Sequence, residues 1–226
     1  PDALRDLAWF PSRHPVGTGP APDVGTRCAP AGEYLGMALP AAFYDRPVLQ
    51  VARELLGMRL LRRLPDGSLI TGEIVETEAY DGEQDLACHA RAGLTPRTRV
   101  MYGPPGKAYV YFTYGMHWML NCVCQAQGYP AAVLIRAMRP LDGLESIAAR
   151  RPGVTPAHWC DGPGKLCRAL DIDGSLNGAD LCSPQSGLWI EKCEPVADNA
   201  VRTGPRVGLG STPEPWFSMP WRFRLG

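Results

Sequence analysis

The 226-residue sequence predicts an α+β fold in a single compact domain, a mainly antiparallel β-sheet with peripheral helices. Three observations carry this expectation. Two pairs of strand-like runs are each joined by a tight turn signal, as in β-hairpins. Short amphipathic stretches with helix start and stop signals lie around them. Hydrophobic residues make up 45% and charged residues 20%, enough apolar content for one sizeable core.

In chain order, residues 1–40 contain seven prolines and no sustained periodicity, and read as a Pro/Gly-rich, weakly ordered leader. Residues 41–226 form the folded domain. Asp45, Pro47, the apolar spacing Val48, Val51, Leu55 and Leu56, and a stopping Gly57 predict a helix capped at both ends. Residues 58–64 and 68–77 flank Pro65-Asp66-Gly67 and predict a first hairpin. Residues 87–105 carry Thr-Pro and Pro-Pro signals and predict a long loop, which in a compact domain points to function or disorder. Residues 108–113 and 117–124 predict a second hairpin with Tyr114-Gly115 at its tip. A strand over 132–138 and a helix over 144–150, with Asp142 as cap, follow. Gly162-Pro163-Gly164-Lys165 opens a short helix, and later strands are expected at 188–192, 206–209 and 221–225.

No run of 18 apolar residues occurs and no secretory signal is read, so the chain is expected to work away from membranes. That means the cytoplasm or nucleoid of a bacterium, or the nucleus or an organelle of a eukaryote. The eight cysteines form no compact disulfide framework and no C-x2-C pair, which predicts reduced thiols and no metal site. The formal net charge is zero, yet residues 86–141 hold no Asp or Glu beside Arg91, Arg97, Arg99, Lys107, Arg136 and Arg139. A single-sign segment in a neutral chain is the footprint of a phosphate-binding face.

Candidate chemistry begins at Glu76 and Glu78, two residues apart in one strand, so that they share a face with Tyr80. Paired carboxylates divide acid and base work when their surroundings separate their pKa values, although Glu-x-Glu more often marks a charged outer face. His89 lies in the basic loop. Tyr109, Tyr111 and Tyr114 crowd the second hairpin, and Tyr114 falls at its tip, where a core role is hard to assign. Base flipping requires an aromatic-walled pocket and a wedge for the vacated stack, and these tyrosines offer candidates for both. Gly162–Lys165 offers backbone N–H groups to an anion, or is a plain turn before a helix.

Several ordered stretches resemble the alkyladenine (3-methyladenine, or methylpurine) DNA glycosylase family. They are residues 72–80, 88–97, 101–121, 133–136, 162–170, 204–208 and 220–223; the run from Tyr109 through Met116 with the downstream Asn121 is the most specific. The resemblance implies a barrel-like core similar to a formyltransferase C-terminal domain. It also implies a monofunctional hydrolysis of the N-glycosidic bond, with Glu78 as the base that activates water. Tyr80, His89 and Tyr111 fall on the walls of the flipped-base pocket, Leu134 on its lining, and Asn121 on the residue that rejects undamaged guanine. Tyr114 falls on the intercalating wedge. Arg136 falls on a polar contact near the nucleotide and the water, and Arg97 and Lys165 are taken as further nucleotide or phosphate contacts. Glu76 has no comparable catalytic role in the family. Thr98 and Gly164 stand where relatives often carry Asn and Ser or Ala, a departure that bears on substrate preference.

The expected partner is double-stranded DNA carrying a damaged purine, met by a monomer without cofactor or metal. Two other classes stay open at this point. A non-catalytic lesion-binding protein would share the basic segment and the aromatics, and a carbohydrate hydrolase would use Glu76 and Glu78 but leave the acid-free segment unexplained.

Overall fold

The computed structural model describes residues 37–226; most of the expected leader, residues 1–36, lies outside the described residues. Among the described residues eight strands form one sheet in which every pairing is antiparallel. They are β1 (Arg59–Arg63), β2 (Leu69–Asp81), β3 (Ala108–Thr113), β4 (His117–Cys124), β5 (Ala131–Asp142), β6 (Leu188–Glu191), β7 (Val201–Gly204) and β8 (Arg222–Leu225). The main path runs β3-β4-β5-β2-β1-β6, with β8 joining β2 and β7 joining β8.

β2 is where the sheet forks. Along one side it pairs with β5 over most of its length. Along the other, its first part pairs with β1 and its later part, Glu76–Glu78, with β8. β2 is paired along both edges, and its residues are buried from Ile70 to Ala79 with Val75 as the half-exposed exception. Register shifts around Glu76 bend the strand where β8 joins it.

Among the described residues four helices pack outside the sheet: α1 (Ala41–Tyr44), α2 (Val48–Glu54), α3 (Leu144–Arg150) and α4 (Pro163–Ala169). The main core holds Val48 and Val51 of α2, Leu55 just after it, Ile70 and Ile74 of β2, Leu120 of β4, Val133 and Ile135 of β5 and Leu166 of α4. The Thr77 hydroxyl ties β2 to α2 by donating to the Ala52 carbonyl at 2.8 Å. A smaller apolar cluster, Cys88, Ala90, Met101, Tyr109, Val123 and Ala132, carries Tyr80 and Tyr111 on its flank. Among the described residues no helix is long and apolar enough to cross a membrane.

Both hairpins form as expected, with Gly67 at φ +86° in the first turn. Several local expectations are corrected. Asp45 caps no helix N-terminus, because it sits at the end of α1, and α2 starts behind Pro47 with no side-chain cap. Asp142 does not cap α3; it belongs to β5, accepts from the Thr71 hydroxyl at 2.7 Å, and leaves Gly143 at φ +72° to start the helix. Residues 206–209 form no strand, since their backbone and side chains turn onto β2 instead. The long loop contains two short 3-10 turns, His89–Ala92 and Arg99–Tyr102. Residues 38–39 of the expected leader sit on the sheet edge, where Leu39 donates to Ile190 at 2.8 Å. Cys88, Cys122, Cys124, Cys160, Cys167 and Cys182 are free thiols, whereas Cys193 is disulfide-bonded, which corrects the expectation of reduced thiols at that position.

Candidate active site

The fork in the sheet assembles a buried charge cluster. The two Glu residues and Tyr80 come from β2, Arg136 from the facing strand β5 and Arg222 from β8. Glu78 is wholly buried. Its Oε1 accepts from the Val207 backbone N–H at 2.7 Å and its Oε2 from the Tyr80 hydroxyl at 2.9 Å. Arg136 places Nη1 3.3 Å from the same Oε2. Its Nε donates to Glu76 at 3.1 Å, and Arg222 reaches that carboxylate at 3.4 Å. Two cations and two anions therefore alternate through the fork.

Burial pushes the Glu78 carboxyl above its ordinary pKa, against the opposing pull of Arg136, the Val207 N–H and the Tyr80 hydroxyl. A carboxylate so placed is a stronger base than one in water, and its oxygens are held in fixed directions. Burial and the neighbouring Glu78 charge likewise raise the Tyr80 hydroxyl, which stays protonated as a donor.

One residue that sequence reasoning missed organises this side of the site. Arg206 lies with its guanidinium 4.8 Å from the Tyr80 ring centroid and 4.9 Å from that of Trp221. It donates through Nη2 to Asp85 at 2.9 Å and through Nη1 to the Ala79 carbonyl at 3.0 Å. Its fully buried partner Asp85 also accepts the Asp81 and Ala87 N–H groups, which fastens the start of the basic loop to β2. The next residue along the chain presents the Val207 N–H to Glu78. Reading 206–209 as a strand hid this, although residues 204–208 were among the stretches carrying the family resemblance.

Beside the charge cluster stands an aromatic one. His89 meets Tyr111 edge-on at 4.5 Å between ring centroids, and Tyr109 lies 5.2 Å from Tyr111. His89 Nδ1 and the Tyr109 hydroxyl are 3.0 Å apart. Burial first, then Arg97 and Arg91, lower the His89 pKa to about 4, so the imidazole is neutral near pH 7. Tyr80, which bonds Glu78, and Tyr111 both pack on the same small apolar cluster, so the charged and aromatic groups adjoin. Asn121 and Leu134 face each other across β4 and β5, with Leu134 also opposite Glu78 on β2. The Asn121 amide is fixed by donation to the Tyr109 carbonyl at 3.0 Å.

Tyr114 stands apart at the hairpin tip, 71% exposed, between exposed Phe112 and Met116. Arg97, expected as a phosphate contact, lies over the Tyr111 ring. Lys165 sits on α4, paired with Asp161 at 2.9 Å, and belongs to neither cluster. A cavity of about 600 Å³ lined by Val75, Glu76, Met138, Trp159 and Leu225 includes none of Glu78, Tyr80, His89 and Tyr111. Its walls are mostly apolar, with Arg139 and Arg224 among the polar residues.

The family model described as methylpurine-DNA glycosylase matches residues 42–226. A protein of Methanocella arvoryzae is 50% identical over 186 residues, covering 82% of this chain and 90% of its own. One from Myxococcus xanthus is 48% identical, covering 81% and 88%, and one from Carboxydothermus hydrogenoformans is 47% identical, covering 84% and 95%. All three bear the name "Putative 3-methyladenine DNA glycosylase".

Proposed function

The chain belongs to the methylpurine-DNA glycosylase family, and on that premise we propose that it excises damaged purines from double-stranded DNA by hydrolysing the N-glycosidic bond with a water activated by Glu78. The substrates are of the 3-methyladenine, 7-methylguanine, hypoxanthine and ethenoadenine class. The observation that carries this reading is the buried Glu78 carboxylate, held by Val207, Tyr80 and Arg136 beside the aromatic cluster.

In this reaction the damaged base is extruded and stacks among Tyr80, His89 and Tyr111, while Tyr114 fills the space it leaves. Water attacks the sugar C1′ and gives its proton to Glu78. The electrons of the C1′–N bond leave with the base, and an abasic site remains. Arg136 balances the carboxylate and borders the attacking water. Asn121 excludes undamaged guanine by occupying the room its exocyclic amine would need, and Leu134 lines the same wall. No lysine adduct, metal or cofactor enters the scheme.

The test uses duplexes that each carry one lesion, scored for alkali-labile abasic sites. Wild-type protein should convert lesion duplexes and spare undamaged DNA. Tight lesion binding without abasic sites would instead identify a lesion-binding protein.

A further inference from the structure

Tyr111, a wall of the proposed base pocket, already carries a cation. The Arg97 guanidinium lies 5.1 Å from the Tyr111 ring centroid, within the range at which a cation is drawn to an aromatic face. Arg97 Nη2 also reaches the Phe112 carbonyl at 3.5 Å. Among the described residues no carboxylate forms an ion pair with it. Arg97 is exposed, and the protein groups its positively charged guanidinium engages are the Tyr111 ring and the Phe112 carbonyl. The neighbouring His89 reports that charge: with burial, Arg97 disfavours the imidazolium.

A purine methylated at N7 or N3 carries a fixed positive charge, whereas hypoxanthine is neutral. Whatever opposes a proton on His89 opposes a cationic base stacked beside the same rings, because like charges in a partly desolvated site repel. A ring that already shares its π-electrons with one cation also has less attraction for a second.

We propose that Arg97 sets the charge preference of the base pocket, favouring neutral damaged purines over cationic ones. This rests on the reading of Tyr111 and His89 as walls of that pocket. It differs from a phosphate contact, which would serve every lesion and every duplex alike.

Single-turnover excision rates are compared on otherwise identical hypoxanthine and 7-methylguanine duplexes for wild type, Arg97→Gln and Arg97→Lys. Affinities for both duplexes are measured in parallel in a Glu78→Gln background, where turnover does not intervene. Arg97→Gln should raise the ratio of 7-methylguanine to hypoxanthine, in rate and in affinity, by roughly three- to tenfold. Arg97→Lys keeps the charge and should stay within about twofold of wild type. The His89 pKa, followed by NMR, should rise in Arg97→Gln. An equal change for both lesions, or a fall in the ratio, overturns the proposal. Wild type excising neither lesion would overturn the glycosylase reading, and the affinity ratio would still decide the role of Arg97.

Discussion

Glu78 and Tyr114 are both assigned to one reaction, yet they live under opposite physical rules. Glu78 is wholly buried and each carboxylate oxygen has a named donor. Tyr114 is 71% exposed, adopts φ 52°, and its side chain makes no hydrogen bond among the described residues. The buried group is over-determined: β2, β5 and the segment after β7 all contribute to its position. The exposed group is under-determined, and nothing in the free protein requires a tyrosine there. Chemistry on a bond needs preorganised charge, while insertion into a duplex needs a side chain without prior commitments.

The sharpest way to break this contrast is at its buried end. Glu78→Gln keeps the size of the side chain and an acceptor for the Val207 N–H, but has no basic oxygen for the proton of water. Single-turnover excision should fall about 10²- to 10⁴-fold, the usual contribution of a general base, with lesion affinity retained. An unchanged rate in a folded, DNA-binding variant would sink the mechanism.

Arg206 tests whether the buried end is built by its surroundings. Removing one partner of a buried ion pair leaves the other charge stranded, at a cost of roughly 3–5 kcal/mol. Arg206→Met should therefore lower thermal stability strongly, and adding Asp85→Asn should recover part of it. Excision should stay slow in the double variant, because the Tyr80 ring and the Val207 N–H lose the same anchor. Recovery of rate along with stability would show that Arg206 acts on folding alone.

Glu76 offers a finer test. It holds the Nε end of Arg136, whose other end faces Glu78. The base works ionised, so excision should rise with pH through the Glu78 pKa, which burial places above the ordinary carboxylate range. His89, with its pKa near 4, is neutral near pH 7. In Glu76→Gln a repelling carboxylate is gone and Arg136 is free to pair more fully with Glu78. The acid limb should then move to lower pH, and the neutral-pH rate should drop about tenfold as the base weakens. A limb that stays in place while only the melting temperature changes would leave Glu76 a purely structural role.

The same contrast explains what the sequence made legible. Features written locally were readable: the hairpins from their turns and alternating runs, and the exposed tip from Tyr114-Gly115; the one-face reading of Glu76, Glu78 and Tyr80 assumed a regular strand, whereas register shifts interrupt β2 at Glu76. Features made by distant segments were not. Asp85 and Arg206 are 121 positions apart, and each looks like an ordinary surface charge until the fold buries both. The distinction between Glu76 and Glu78 came from family likeness, since both are buried beside Arg136 and only position in the fork separates them. Caps fared worst: Asp45 and Asp142 fit the pattern but found other partners, as short polar side chains often do.

The smallest expected effect on stability is also the cleanest probe of the exposed end. Tyr114 and Gly115 both have positive φ, and the Met116 N–H closes the turn on the Thr113 carbonyl at 3.1 Å. Such primed turns favour Asn or Gly at the first central position, because other residues are strained there by about 1–2 kcal/mol. A tyrosine in this slot is therefore unfavourable for the turn itself. Tyr114→Gly relieves the strain but adds freedom to the unfolded chain, worth roughly 0.5–1 kcal/mol in the opposite direction. The two terms nearly cancel, so the melting temperature should move by only a few degrees. Affinity for a lesion duplex should fall about tenfold while affinity for undamaged DNA holds, because only the flipped state has a gap to fill. A large loss of stability would mean that the ring packs onto the protein after all. Unchanged lesion affinity would remove the wedge assignment and leave the strained tyrosine without a function.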